Sequence, residues 1–264
     1  MGHLIKPAFF LFCTLIFAPL PLPAAADGMA AGMQQHTAVY EVFRNDNPVA
    51  KVTLDLSRQG DAWTYRGFTH DMRGLAKVLH VNGEQSVTGS WQDGFFQPDE
   101  YRFAFSLVGY RSRWGADFDW PAGTVTTGKK SHKSTLTLAS GAMDPMSLFL
   151  NTGSYLATGQ SEMQVDVIDE DEVENHRYVA ETQETLETEL VCIEATRVKR
   201  IRENTKRTSL AWYANDLAYI PVMLQHKKKK GNVLAVRIIS LEIDGRPVAI
   251  TASCAADQRP AAPG

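Results

Sequence analysis

The sequence predicts a mainly β protein, a single antiparallel meander with one or two short helices packed on the sheet. Three observations lead to this fold class. Apolar and polar residues alternate along most of the chain between residues 38 and 241, turn-forming residues recur between the alternating segments, and only two segments show helical spacing. A period of two is typical of strands with one packed face and one solvated face.

The alternation is clearest in three segments, which are residues 50–56 ("AKVTLDL"), 101–107 ("YRFAFSL") and 163–167 ("MQVDV"). Short turn sequences such as "RQGD" (58–61) and "EIDGRP" (242–247) separate the predicted strands. Connections this short join antiparallel neighbours, because parallel neighbours need a long crossover. We therefore predict consecutive hairpins.

Two segments break the strand pattern. In residues 71–81 ("DMRGLAKVLHV"), Met72, Leu75 and Leu79 have helical spacing behind Asp71, a candidate helix cap. The sequence therefore predicts a first short helix here.

The second helical segment is residues 144–153 ("DPMSLFLNTG"). Asp144 is suited to accept hydrogen bonds from first-turn amides, and Pro145 fits the first helical position, which needs no donor. Gly153 is suited to end the helix. We read "TGSYLATG" (152–159) as a loop.

The chain ends differ from the domain between them. Residues 1–26 combine Lys6, an uncharged apolar run and small residues at Ala24 and Ala26, which is the pattern of a signal peptide cleaved after Ala26. The run is shorter than the roughly 20 residues of a membrane span, so we expect no transmembrane span after cleavage. We expect residues 27–252 to form a single β-rich domain and residues 253–264 to form a disordered tail.

Charge and cysteine content narrow the partners and the compartment. The formal net charge is only −3, which argues against nucleic acid as a partner. Two cysteines remain after cleavage, Cys192 and Cys254, and an even count in an exported protein suggests a disulfide between them.

Three stretches, "DWPAGTV" (119–125), "MDPMSLFL" (143–150) and "LAWYANDLAYIPVMLQHKKKKGNVLAVRIISLE" (210–242), together resemble the bacterial domain-of-unknown-function family 3108 (DUF3108). The positions that match its two patterns are Asp144, Pro145, Ser147 and Leu148 in the first and Trp212, Pro221 and Val222 in the second. The resemblance runs from about residue 38 to residue 241. It implies an exported envelope protein in the periplasm, with a sheet curled into an open half-barrel around its helices. The family has no established catalytic residues to transfer.

The sequence holds no recognisable constellation for catalysis or metal binding. The histidines lack metal-site spacing, and neither a G-x-S-x-G motif nor a glycine-rich phosphate loop is present. The acidic stretch "DEDEVENH" (169–176) lacks the glycine of a calcium loop and fits a hairpin tip. We therefore predict a protein that is not an enzyme, with no catalytic residue, no metal site and no cofactor.

Two sets of residues are candidates for binding. Apolar side chains line a cavity beneath the second helix, or else fill an ordinary core; these are Tyr101, Phe103, Phe105, Met146, Phe149, Leu150 and Trp212. Basic side chains make weak contacts with an anionic envelope surface, or else only protect hairpin tips and edges; these are Arg200, Arg202, Lys227, Lys228, Lys229 and Lys230.

Two functional hypotheses follow. The first is a non-catalytic periplasmic protein that binds or carries an apolar envelope molecule such as a lipid. The alternative is an envelope scaffold that works through protein contacts and has no small-molecule ligand.

The leader pattern generates the first test. N-terminal sequencing of the protein purified from the periplasm of its own cells should give a mature chain that begins at Asp27. The small residues Ala24 and Ala26 fit the cleavage site. A purified chain that begins at Met1 would contradict the expectation.

Overall fold

The computed structural model describes residues 34–129, 131–187, 192–203, 207–228 and 231–248 of the 264-residue chain. These residues form fifteen strands and two helices. The strands are β1 (His36–Arg44), β2 (Asn47–Gln59), β3 (Ala62–His70), β4 (Asn82–Gln92), β5 (Phe95–Leu107), β6 (Tyr110–Asp119), β7 (Thr124–Lys129), β8 (His132–Thr137), β9 (Glu162–Asp169), β10 (Glu172–Glu187), β11 (Cys192–Ile201), β12 (Arg207–Ala214), β13 (Pro221–Lys228), β14 (Val233–Ile243) and β15 (Arg246–Pro247). The helices are α1 (Gly74–Val78) and α2 (Ser147–Ala157).

All the strands belong to one antiparallel sheet. Its order is β8-β7-β6-β5-β4-β3-β2-β1-β14-β13-β12-β11-β10-β9, with β15 paired to β14. Consecutive hairpins build β1 to β8 and β9 to β14, and the ladder between β1 and β14 joins the two runs. The predicted fold class, a mainly β antiparallel meander with two short helices, is confirmed.

The row of strands curls so that side chains near its two ends come into contact. Near one end, the Thr127 hydroxyl on β7 donates to the carbonyl of Glu170, in the turn between β9 and β10. Lys129 also pairs with the Glu170 carboxylate at 2.5 Å. In the described residues no ladder joins β8 to β9, so the sheet stays open.

The half of the sheet built by β2 to β7 has a filled interior. Alternate residues of these strands point inward, and large aromatic side chains occupy the space. Burial of each such side chain contributes about 1.5–3 kcal/mol. The largest members of this cluster are Trp63, Tyr65, Phe96, Tyr101, Trp114 and Phe118.

Asp144 accepts hydrogen bonds at the start of α2 as predicted, but the helix begins at Ser147, after a turn that holds Pro145, and it ends later than predicted. The Asp144 carboxylate accepts hydrogen bonds from the amides of Met146 at 2.7 Å and Ser147 at 3.1 Å. The predicted end at Gly153 is wrong, because the helix continues to Ala157 and includes most of the segment read as a loop. Gly153 instead allows close packing, since a Cβ there would lie 2.8 Å from the Tyr219 carbonyl oxygen.

Helix α1 is shorter than predicted, and Asp71 does not cap it. Asp71 has a φ of 49°, whereas a helix cap has an extended backbone. Its carboxylate lies 3.3 Å from the Lys51 ammonium instead. The helix starts only at Gly74, behind Arg73.

One buried amide fixes α2 to the sheet. β6 pairs with β5 only from Glu100 onward, so the backbone of Phe96 is open on that side. Asn151 of α2 fills the gap: its Oδ1 accepts from the Phe96 amide at 2.8 Å, and its Nδ2 donates to the Phe96 carbonyl at 3.0 Å. The side chain thus replaces a neighbouring strand.

Replacing Asn151 with alanine should destabilise the protein strongly. The change leaves the amide and carbonyl of Phe96 buried and unpaired, at a cost of about 1–3 kcal/mol for each group. Urea unfolding measures the loss. The control is Ser154→Ala, because the Ser154 hydroxyl donates to the Leu150 carbonyl of its own helix, at 3.3 Å, and makes no other hydrogen bond within the described residues. Equal unfolding midpoints for the two variants would contradict the role of Asn151.

Candidate functional site

A cavity of about 440 Å³ lies between α2 and the inner face of β10 to β14. Helix α2 and the turn that leads into it contribute Pro145, Leu148, Phe149 and Thr152 to the lining. The opposite wall comes mainly from alternate residues of the strands, with Leu210 and Gln225 in addition. The second half of the curled sheet therefore encloses space where the first half is filled.

The size of the wall residues explains the cavity. Val198 pairs with Ala211, Ala211 with Leu224, and Leu224 with Val236, which places all four side chains in one row on the inner face. None is aromatic, whereas the first half of the sheet points tryptophan and tyrosine inward. This row of Val198, Ala211, Leu224 and Val236 is called the apolar row below.

A polar row lies next to the apolar row and runs across β10 to β13. It consists of Tyr178, Arg200, Ser209 and His226, which all line the cavity. The Ser209 hydroxyl lies 2.9 Å from His226 Nδ1 and accepts a hydrogen bond from Arg202 at 3.0 Å. The cavity thus changes from apolar to polar between neighbouring inward positions of β11, β12 and β13, while on β14 the residue opposite His226 is Leu234.

A second network surrounds Glu174. Its carboxylate lies 2.7 Å from His176 Nε2 and 3.0 Å from an Arg200 nitrogen, and His176 Nδ1 lies 3.0 Å from the Tyr178 hydroxyl. Burial lowers the pKa of His176, although Glu174 opposes the shift. Burial also raises the pKa of Tyr178 to about 12.

The charges around His226 are positive. Burial lowers its pKa, and Arg202, Lys228, Arg207 and Arg200 lower it further. The pKa of Arg202 is also lowered, first by burial and then by Arg200. Several cations therefore lie close together at this end of the cavity.

The predicted cavity residues lie in different parts of the structure, and only some of them line the cavity. Phe149 lines the cavity, while Tyr101, Met146 and Leu150 belong to the filled core and Phe103 packs against it. Phe105 contacts Tyr110, with ring centroids 6.3 Å apart.

Trp212 lies on the other face of β12. Its indole donates to Glu184 at 3.1 Å, and its ring belongs to a separate hydrophobic cluster. Tyr213, the next residue, lines the cavity instead, because successive strand residues point to opposite faces.

The predicted basic residues also lie in different places, and only one of the two predicted cysteines is among the described residues. Arg200 and Arg202 line the cavity, and Lys227 and Lys228 are exposed at the end of β13. Lys229 and Lys230 lie outside the described residues. Cys192 is disulfide-bonded, but Cys254 lies outside the described residues, so the bridge between the two stays a prediction.

The site presents hydrogen-bond donors more than reactive groups. Ser209 and His226 are in contact as a nucleophile and a base would be, but in the described part of the chain no carboxylate bonds to the imidazole. No group of metal-ligating side chains occurs in the same residues. The arginines and the hydroxyl are suited to hold an anion.

The family match covers most of this fold. A family described as protein of unknown function (DUF3108) matches residues 39–236. The chain belongs to this family. No curated protein matches the chain.

Among solved structures, the chain is similar to a β-barrel-like protein of the DUF1849 family from Brucella abortus. The TM-score is 0.52 at 13% identity, over 80% of this chain and 98% of that one. A MucA/MucB complex from Pseudomonas aeruginosa gives a TM-score of 0.35 at 9% identity, over 86% of this chain and 58% of that one. The likeness between this DUF3108 member and the Brucella protein is a likeness of fold alone.

Neither α1 nor α2, the helices of the described residues, has the length and apolar character needed to cross a membrane.

Replacing Lys227 and Lys228 with serine should leave the free energy of unfolding within about 0.5 kcal/mol of the wild type, because exposed side chains contribute little. Urea unfolding tests this. Arg200→Ser is the comparison: its side chain is 20% exposed and bonds to Glu174, so about 1–3 kcal/mol should be lost. If the lysine variant lost more than about 0.5 kcal/mol of its free energy of unfolding, these lysines would have to be packed or paired.

Proposed function

We propose that this DUF3108 member is a non-catalytic periplasmic protein that binds an apolar envelope molecule, such as a lipid, in the cavity beneath α2. The observation that carries the proposal is the cavity itself. Its volume of about 440 Å³ is comparable with that of ligand pockets, which span about 300–1,000 Å³. The predicted signal peptide supports an exported location.

The apolar row gives the cavity a wall that a hydrocarbon would cover. Val198 is buried, whereas Ala211, Leu224 and Val236 keep part of their surface accessible. Burial of that apolar surface by a ligand stabilises the complex by about 25 cal/mol per Å² before the costs of association.

Phe149 forms the helix side of the binding space. It is partly exposed, and it stays outside the buried clusters that hold Met146, Leu148 and Leu150. An aromatic ring at this position offers a large contact area to an apolar ligand. The helix thus anchors itself in the core with some residues and faces the cavity with another.

Native mass spectrometry of the full mature protein, purified from its own periplasm, tests the proposal. We expect a bound species of lipid-sized mass. Ala211→Phe should abolish it, because the larger ring fills the apolar row. The control is Ala62→Phe, which adds the same ring at an exposed position of β3.

A wild-type protein without any adduct, and without affinity for a neutral apolar dye, would overturn the proposal. That result would favour the envelope scaffold. Loss of the adduct in both variants would show instead that Ala211→Phe does not act through the cavity.

A further inference from the structure

The inner face of β11 carries positive charge into the cavity. Arg200 lies two residues after Val198 on this face, and Arg202 follows directly after the strand. Arg207 and Lys228, which pair across β12 and β13, add two cations at the same end. The polar end of the cavity is therefore a cluster of basic groups.

Two of these groups lack full pairing. In the described residues Arg202 has no ion pair, and it donates a hydrogen bond to the neutral Ser209 hydroxyl. The Arg200 Nε is buried and has no hydrogen-bond partner there, although another of its nitrogens reaches Glu174. Donors left in this state bind an additional acceptor favourably.

The nearby acids do not balance the cluster. Glu174 is shared between Arg200 and His176. Asp169 also lines the cavity, and burial raises its pKa, with Glu174 and Glu170 adding to the shift. Besides burial, the pKa of His226 is lowered by four cations, which are Arg202, Lys228, Arg207 and Arg200. An anion at Ser209 and His226 would therefore meet mainly positive groups.

We propose that the ligand is a single-chain amphiphile with an anionic headgroup, which Arg202 and Arg200 hold while its chain lies along the apolar row. This inference rests on the function proposed above and defines the chemistry of that ligand. In this arrangement the anionic headgroup binds beside the polar row. The hydrocarbon chain packs against the apolar row and extends toward Phe149.

The shared chemistry is a monoanionic or dianionic head, either a carboxylate or a phosphate. Arginine suits both, because its planar guanidinium donates two parallel hydrogen bonds to either group. A neutral head would leave the donors of Arg200 and Arg202 without charge compensation, and a cationic head would be repelled.

Displacement of a neutral apolar dye from the purified mature protein tests the headgroup. The competitors share one dodecyl chain and differ only in the head: tridecanoate, dodecyl phosphate, dodecanol and dodecyltrimethylammonium. We expect the two anions to bind at least about tenfold more tightly than dodecanol, as charge-assisted hydrogen bonds imply. The cation should bind most weakly. The ratio of the two anions distinguishes carboxylate from phosphate.

Arg202→Gln should weaken both anions by about tenfold or more and leave dodecanol unchanged. The matched control is Lys199→Gln, which removes a charge from the face of β11 opposite to the cavity, where Lys199 pairs with Glu181 at 3.3 Å. The control should leave all four affinities unchanged.

The outcomes separate the two proposals. Displacement by dodecanol as strong as by the anions, in the wild type, would overturn the headgroup inference and leave apolar binding intact. Equal weakening by Arg202→Gln and Lys199→Gln would overturn the role of Arg202. Failure of the dye and of every competitor to bind would overturn apolar binding and the headgroup inference together. The wild-type comparison decides even where a variant does not fold.

Discussion

The hydrogen bonds between Asn151 and the backbone of Phe96 hold α2 inside the curled sheet, and the cavity depends on that position. The amide occupies a strand edge that β6 leaves open. Once α2 is fixed there, Met146 and Leu150 complete the filled core on one side. Phe149 then faces the opposite half of the sheet, where the apolar row leaves room.

The parts of the fold that depend on local sequence were predictable. Alternation in residues 50–56 and 101–107 defines parts of β2 and β5, and the glycine turns between strands set the hairpins. The Asp144 cap was also predictable, because it needs only the amides that follow it in sequence. Each of these features is decided within a few residues.

Features set by distant contacts were not predictable in the same way. In the sequence Gly153 is typical of a helix end. In the structure the position lies within the helix, and the nearby Tyr219 carbonyl leaves no room for a Cβ. Alternation alone cannot distinguish a filled face from an empty one, so Ala211 gave no sign of a cavity. The one usable signal was parity: Arg200 and Arg202 share the parity of the buried Val198, whereas Arg197 and Lys199 share that of the solvated face.

The inward arginines distinguish a binding cavity from a packing defect. A void left by imperfect packing would be lined by apolar side chains alone, because a partly buried charge is costly unless it is paired. Among the described residues, the buried Arg200 Nε has no hydrogen-bond partner, and burial and Arg200 are the largest causes that lower the pKa of Arg202. A ligand anion would supply the missing partner, and any ligand that binds only the folded state stabilises it. The inward arginines are thus suited to a complex with an anionic amphiphile.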